Sequence, residues 1–312
     1  MEQRLRVGID IGATKTNIGL INTQGSPLHS VTLSSQQDGG AQGLTAKICD
    51  ALHSLLATAG VMLDEIAFIG VGIAGSADTA RGMASYCPNL GWEDEALGNY
   101  FLRELGRNVS VSQDSWAAAW AEHLFGAGRG HADMLCVTLG TGIGCGVVIN
   151  ERIFAGAMST AGEIGHTVIE PDGRLCSCGQ RGCLERYVSG TAVLALALER
   201  FPHKLLGRPH KAQTVFELAY DGDSDALELI AYCADRLAFG LAKLVNVLSC
   251  NLIVFSGGMC EHDLLLQPLL PLLYQYGYPA WTRRRQMTIA RAQLGAAAPM
   301  IGAAFLDKGV LK

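Results

Sequence analysis

The chain has 312 residues, 49% of them apolar and 17% charged, with a net charge of -5. That length allows about two domains with full cores, and the acidic balance leaves no electrostatic footprint for nucleic acid. No apolar run approaches the ~20 residues of a membrane span, and the one concentrated basic run, Arg283–Arg285, is short enough to be a solvated turn. The sequence moves from MEQRLRVGID straight into strand pattern without a secretory signal, so the expectation is a cytoplasmic protein without a disulfide framework.

In chain order, RVGIDIG and TNIGLINTQG read as two strands around a turn, and PLHSVTL as a third. Helical spacing of Leu and Ile over 43–59 and the buried strand IAFIGVGI complete a β-β-β-α-β opening. Strand patterns return at NVSVSQ and at MLCVTLGTGIGCGVVIN. Between these two lies SWAAAWAEHLFGAG, which suits a helix ended by glycine. Helix dominates from about Thr191 to Leu248, followed by the strand NLIVFSGG and a C-terminal helix in LGAAAPMIGAAFL, with Pro299 near its start. Glycine-turned strand pairs open near residue 7 and again near residue 135. This weak internal symmetry suggests a duplicated domain.

Three glycine-containing connections suit a phosphorylated ligand. In DIGATKT, Asp10 opens a turn where Gly12 admits close approach, Thr14 and Thr16 carry hydroxyls and Lys15 carries positive charge. In GTGIGCG, Thr141, Gly142 and Gly144 belong to a loop whose backbone N–H groups can face an anion without Cβ obstruction. Gly257 and Gly258 follow a strand, where a nucleoside can approach the backbone. The run from Gly70 to Gly75 fits G-x-G-x-x-G, but the fingerprint demands a helix next, and SADTARGMASYCPN has no helical stripe. A Walker A pattern is absent.

His166, Cys176, Cys178 and Cys183 form a His/Cys3 set spaced H-x9-C-x-C-x4-C, the donor set of a closed tetrahedral zinc site. Gly179 and Gly182 supply the tight turns that aim several thiolates at one point. Glu163 and Glu185 flank this segment, and they, His166 and Asn89 offer polar groups to a polyol. Asp114 stands where a strand gives way to a helix. It suits a helix N-cap or a proton-accepting base at a strand end.

These motifs, DIGATKT, GVGIAG, PNLGW, QD before an Ala-rich helix, TLGTGIGCG, AGEIGH, CSCGQRGCLE and SGGM, occur in the order seen in the ROK sugar kinases, which the chain resembles over nearly its whole length. The resemblance implies an α/β actin-like ATPase or hexokinase-type fold, with two domains of ribonuclease H-like core around a cleft. The expected small domain is 1–115 completed by 296–312, and the large one is 116–295. ATP with Mg2+, structural Zn2+, a hexose substrate and a homodimer are implied as well. So are Asp114 as general base for the sugar 6-hydroxyl, a sugar set of Gly75, Asn89, Gln113, Glu163, His166 and Glu185, and zinc on His166 and the three cysteines. Some ROK members are repressors with a DNA-binding module ahead of the kinase-like part. With Asp10 opening the first phosphate loop, the expectation here is the enzyme.

The chain departs from the glucokinase pattern in carrying Gln113-Asp114-Ser115-Trp116 where Asn-Asp and another Asn are usual, and Cys145 where Gly is common. Gln113 and Trp116 are therefore expected to tune the sugar. Glucose leads, with N-acylmannosamine, fructose and allose as alternatives, and a non-catalytic sugar sensor is the alternative of another class.

Overall fold

The computed structural model describes residues 5–36 and 39–309. The last three residues of the expected segment 296–312 lie outside the described residues. Contiguity in space divides the chain into one unit of 1–133, 146–161 and 293–312, and a second of 134–145 and 162–292.

The opening follows the strand-helix order read from the sequence: β1 (Arg6–Ile11), β2 (Lys15–Ile21), β3 (Pro27–Ser34), α1 (Gly40–Ala59) and β4 (Phe68–Ile73). Gly60, in the left-handed conformation, ends α1 and donates its N–H to the Leu56 and Ala57 carbonyls. The segment after Gly75 forms β5 (Ser76–Asp78), β6 (Met83–Cys87) and β7 (Trp92–Glu95), a small separate antiparallel sheet. No helix opens after the glycines, so the dinucleotide fingerprint fails in the structure too. Next come α2 (Leu97–Leu105), β8 (Ser110–Gln113) and α3 (Asp114–Phe125).

The chain then forms β9 (Met134–Leu139), β10 (Ile143–Ile149) and β11 (Arg152–Ile153), and after the cysteine segment α4 (Glu185–Val188), α5 (Gly190–Arg200), α6 (Ala212–Tyr220) and α7 (Ser224–Leu248). The helical stretch expected over 191–248 is thus three helices. Pro202 and Pro209 interrupt it, and Asp223 starts α7 by accepting from the N–H groups of Asp225 and Ala226. Lys204 holds that cap through a 2.7 Å ion pair with Asp223. The remaining elements are β12 (Leu252–Ser256), α8 (Asp263–Leu266), α9 (Leu269–Tyr276), α10 (Pro279–Thr282), β13 (Thr288–Arg291) and α11 (Ala298–Ala303).

Two five-stranded sheets have matching order, β3-β2-β1-β4-β8 and β11-β10-β9-β12-β13. In the first, β1 pairs antiparallel with β2 and parallel with β4, which pairs parallel with β8. In the second, β12 runs parallel to both β9 and β13. The internal symmetry read from the glycine-turned strand pairs is therefore a repeat of sheet topology.

All six residues of β1 are buried, as a central strand covered on both faces requires. On one face Ile9, Ile11 and Val71 pack with Leu44, Ile48 and Leu52 of α1. A second apolar cluster joins Trp116 and Trp120 of α3 to Met300 and Ile301 of α11 and to Phe305. Here α11 lies directly on the sheet: a Cβ on Gly8 would stand 1.8 Å from the Met300 carbonyl oxygen, and one on Gly70 1.9 Å from that of Ala303. Only glycine fits at those two strand positions.

Candidate active site

In the first unit, strand register brings the chemistry-bearing residues to one end of the sheet. Asp10 aligns with Gly72 and Ser112, and Ile11 aligns with Ile73 and Gln113. Asp10, the β1–β2 turn and the Gln113–Asp114 junction therefore share the carboxyl ends of parallel strands, where open α/β sheets bind ligands.

The turn closes on itself, Gly12 N–H donating to the Lys15 carbonyl at 3.0 Å. Thr14 and Lys15 are exposed. Thr16 is fully buried, its hydroxyl 2.9 Å from that of Ser35. Asp10 is buried too. Burial pushes its carboxyl up to about 6, against the lowering effect of the hydrogen bond from Asn17 Nδ2 at 3.2 Å. Such a group needs a cation beside it to stay ionised without cost.

At the β8–α3 junction Gln113 occupies the N-cap position without a side-chain cap bond, and Asp114 is the first helical residue. Asp114 Oδ1 accepts from the Ser115 N–H at 2.6 Å. The helix N-terminus favours its negative charge. Gln113 is 4% exposed, its Oε1 is 3.5 Å from Ser115 Oγ, and its Nε2 has no partner among the described residues. A buried amide left without a partner is costly, so this group is poised for one that arrives with a ligand. Trp116 behaves differently from expectation. It is fully buried in the α3–α11 core and donates Nε1–H to the Ala161 carbonyl at 2.9 Å, so no face of it is left for a sugar.

Asn89 is exposed and lines a cavity of about 400 Å³ with Ala13, Ser35, Gln36 and Trp92. Gly75 packs tightly: a Cβ there would stand 2.6 Å from Cys87 Sγ. Burial first, and the Asp114 charge second, push the Cys87 thiol up to about 12, so it stays protonated.

In the second unit, pairing of Thr138 with Ser256 sets the β9–β10 loop and Gly257–Gly258 at one sheet end. Gly257 has φ 94°, and a Cβ on it would stand 2.3 Å from the Leu139 carbonyl oxygen. Beside them lies a cavity of about 440 Å³ lined by Thr141, Thr191, Lys211, Gln213, Phe216, Gly258 and His262 among others. His262 stacks on Phe216 with centroids 3.9 Å apart, and its Nε2 is 3.0 Å from Gln213 Oε1. Burial holds this imidazole below the usual histidine range and so neutral. None of these cavity residues beyond the glycine loops was legible in the sequence, because they come singly from separate elements with no shared spacing.

The cysteine segment folds as a knuckle. Cys176 N–H donates to the Gln180 carbonyl and Gly179 N–H to that of Cys176, with left-handed turns at Gly179 and Gly182. His166 Nδ1 is 3.6 Å from Cys176 Sγ, Cys178 Sγ is 3.7 Å from Cys183 Sγ, and all four ligand atoms lie within 4.8 Å of one another. Four ligands about 2.3 Å from a zinc ion would be about 3.8 Å apart, so the donor set fits that metal in both chemistry and spacing. Glu163 immediately precedes the short turn Ile164–His166. Glu185, at the start of α4, directs Oε2 to the Ile143 N–H of the glycine loop at 2.9 Å.

The expected residues thus form two sets. Asp10, Gly12, Thr14, Lys15, Thr16, Gly75, Asn89, Gln113 and Asp114 lie in the first unit. Thr141, Gly142, Gly144, Glu163, Glu185, Gly257, Gly258 and the metal set lie in the second.

The sequence model of the ROK family matches residues 6–310. The chain belongs to the ROK family. It is 31% identical to a glucokinase of Thermotoga maritima over 97% of this chain and 96% of that one. An N-acetylmannosamine kinase of Yersinia pestis is 32% identical over 86% and 90%. Among solved structures, a glucokinase from Streptomyces griseus in complex with glucose and AMPPNP shares 32% identity, with 97% and 98% coverage and a TM-score of 0.80. The fold of this ROK protein is therefore the actin-like, hexokinase-type one. No helix among the described residues is long and apolar enough to cross a membrane.

Proposed function

We propose that this chain transfers the γ-phosphoryl group of ATP to the 6-hydroxyl of a hexose, with glucose the leading substrate. The observation that carries the reading is the sheet end that places Asp114 with Asp10, in a chain that matches sugar kinases over nearly its full length. Asp114 accepts the proton of the 6-hydroxyl. The groups read as holding the sugar are Gln113, Gly75, Asn89, Glu163, His166 and Glu185, and hydrogen bonds to several hydroxyls leave only one to meet a base.

The backbone N–H groups around Gly12 and Gly142, with Thr14, Lys15, Thr16, Thr141 and Gly144, face the phosphates. The 440 Å³ cavity beside Gly257 and Gly258 receives the nucleoside. Asp10, buried with Asn17 as its hydrogen-bonding side chain, suits the neighbourhood of Mg2+, which when bound with ATP neutralises charge on the transferred group. His166, Cys176, Cys178 and Cys183 would hold Zn2+, which fixes the knuckle and leaves the other imidazole nitrogen for the substrate. A cytoplasmic homodimer completes the reading.

N-acylmannosamine is the second substrate to consider, because the related N-acetylmannosamine kinase is as similar in identity and Gln113 departs from the glucokinase pattern. Asp114→Asn tests the mechanism. It should lower kcat by roughly a thousandfold while leaving sugar affinity within about threefold. Near-normal turnover would sink the assignment of the base.

A further inference from the structure

The second glycine loop is held by residues that the phosphate-binding reading does not use. Glu185 Oε2 accepts from the Ile143 N–H at 2.9 Å. Gly142 lies against that same oxygen: a Cβ there would stand 2.5 Å from it. Gly165, next to the metal-set His166, closes the contact from the other side, since a Cβ on it would stand 2.7 Å from the Ile143 carbonyl oxygen and 3.6 Å from Glu185 Cβ. Two further ties come from the same short stretch. Gly190 N–H donates to the Gly140 carbonyl at 2.8 Å, and Thr191 Oγ1 to that of Thr141 at 2.8 Å. The loop therefore takes its shape from residues 185–191, which begin two positions after the fully buried Cys183. Glu185 Oε1 meets no donor among the described residues.

We infer that Glu185 is the positioning residue of the second glycine loop, with one carboxylate oxygen setting the loop for nucleotide phosphates and the other taking a sugar hydroxyl, so that sugar and nucleotide binding are coupled through it. The sugar half of this statement rests on the kinase reading; the loop half stands on the contacts above. A carboxylate fixed at both oxygens is more ordered than one fixed at either, so each ligand lowers the ordering cost met by the other.

The test is the affinity of the full-length protein for AMPPNP with Mg2+, measured by calorimetry without sugar and at saturating glucose, for wild type, Glu185→Gln and Glu185→Ala. Without sugar, Glu185→Ala should bind about tenfold or more weakly, the worth of a charge-assisted hydrogen bond. Glu185→Gln should stay within about threefold of wild type, because its amide oxygen still accepts from Ile143. Glucose should tighten nucleotide binding about fivefold or more in wild type. That gain should vanish in Glu185→Ala. Wild-type AMPPNP affinity in Glu185→Ala would overturn the positioning role while leaving the kinase reading intact. Equal loss in Glu185→Gln and Glu185→Ala would show that charge, not the acceptor, matters, and would overturn it as well. A glucose effect that survives in Glu185→Ala would remove the coupling. Wild-type protein that binds no AMPPNP would bring down the kinase reading itself, and this inference with it.

Discussion

The β1–β2 turn and the β9–β10 loop occupy the same place in two sheets of the same strand order, and each closes on itself, yet their outside ties come from different kinds of segment. The first closes over four residues, through the Gly12 N–H and the Lys15 carbonyl, and Ser35, just past β3, donates its N–H to the Thr14 carbonyl at 3.0 Å; the buried Asp10 precedes the turn and the exposed Lys15 ends it. The second closes through the Gly140 N–H and the Gly142 carbonyl and is tied besides by Glu185, Gly190 and Thr191, about forty to fifty residues downstream and just past the last cysteine of the knuckle. Topology repeats, but support does not. The first loop leans on the chain just past β3, while the second leans on the stretch that follows the His/Cys3 knuckle.

The strongest way to break this contrast is Cys183→Ser, which removes a buried ligand of the knuckle. Metal content should fall, Tm should drop by roughly 10 °C, and nucleotide affinity should fall through the loss of the second loop's ties. Unchanged metal content with normal nucleotide binding would show that the knuckle and the loop are independent.

A smaller effect is expected at Asp10 in the first loop. Burial raises this carboxyl from 3.8 to about 6, so folding favours its protonated form. That contribution is fully present below pH 3.8 and is lost as pH rises through about 6. At neutral pH the ionised group costs about 3 kcal/mol. Asp10→Asn should raise the stability of the ligand-free protein at pH 7.5 by up to about that amount, flatten its pH dependence between 4 and 6, and lower kcat. Denaturant melts across pH check this, and an unchanged pH profile would contradict it.

The same contrast explains what was legible in the sequence. Features defined by near neighbours were readable: the β-β-β-α-β opening from alternation, and the His/Cys3 set from its spacing, with both knuckle glycines at positive φ as their placement implied. Features defined by distant partners were not. The β5–β7 sheet has strands of three to five residues without apolar alternation. Trp116 sits beside the proposed base in sequence, but the helical turn that starts at Asp114 carries it into the core, and only the fold reveals that. The orphaned amide of Gln113 and the Phe216–His262 stack likewise depend on packing between separate elements.

Phosphorylation of a hexose by this chain is read from ADP formation by the purified protein with ATP and Mg2+ across glucose, mannose, fructose, allose, N-acetylglucosamine and N-acetylmannosamine. Sugar-dependent ADP formation is expected, greatest with glucose, with the phosphate found on the 6-hydroxyl. Sugar binding without ADP from any member of that panel would contradict it and favour a sugar sensor.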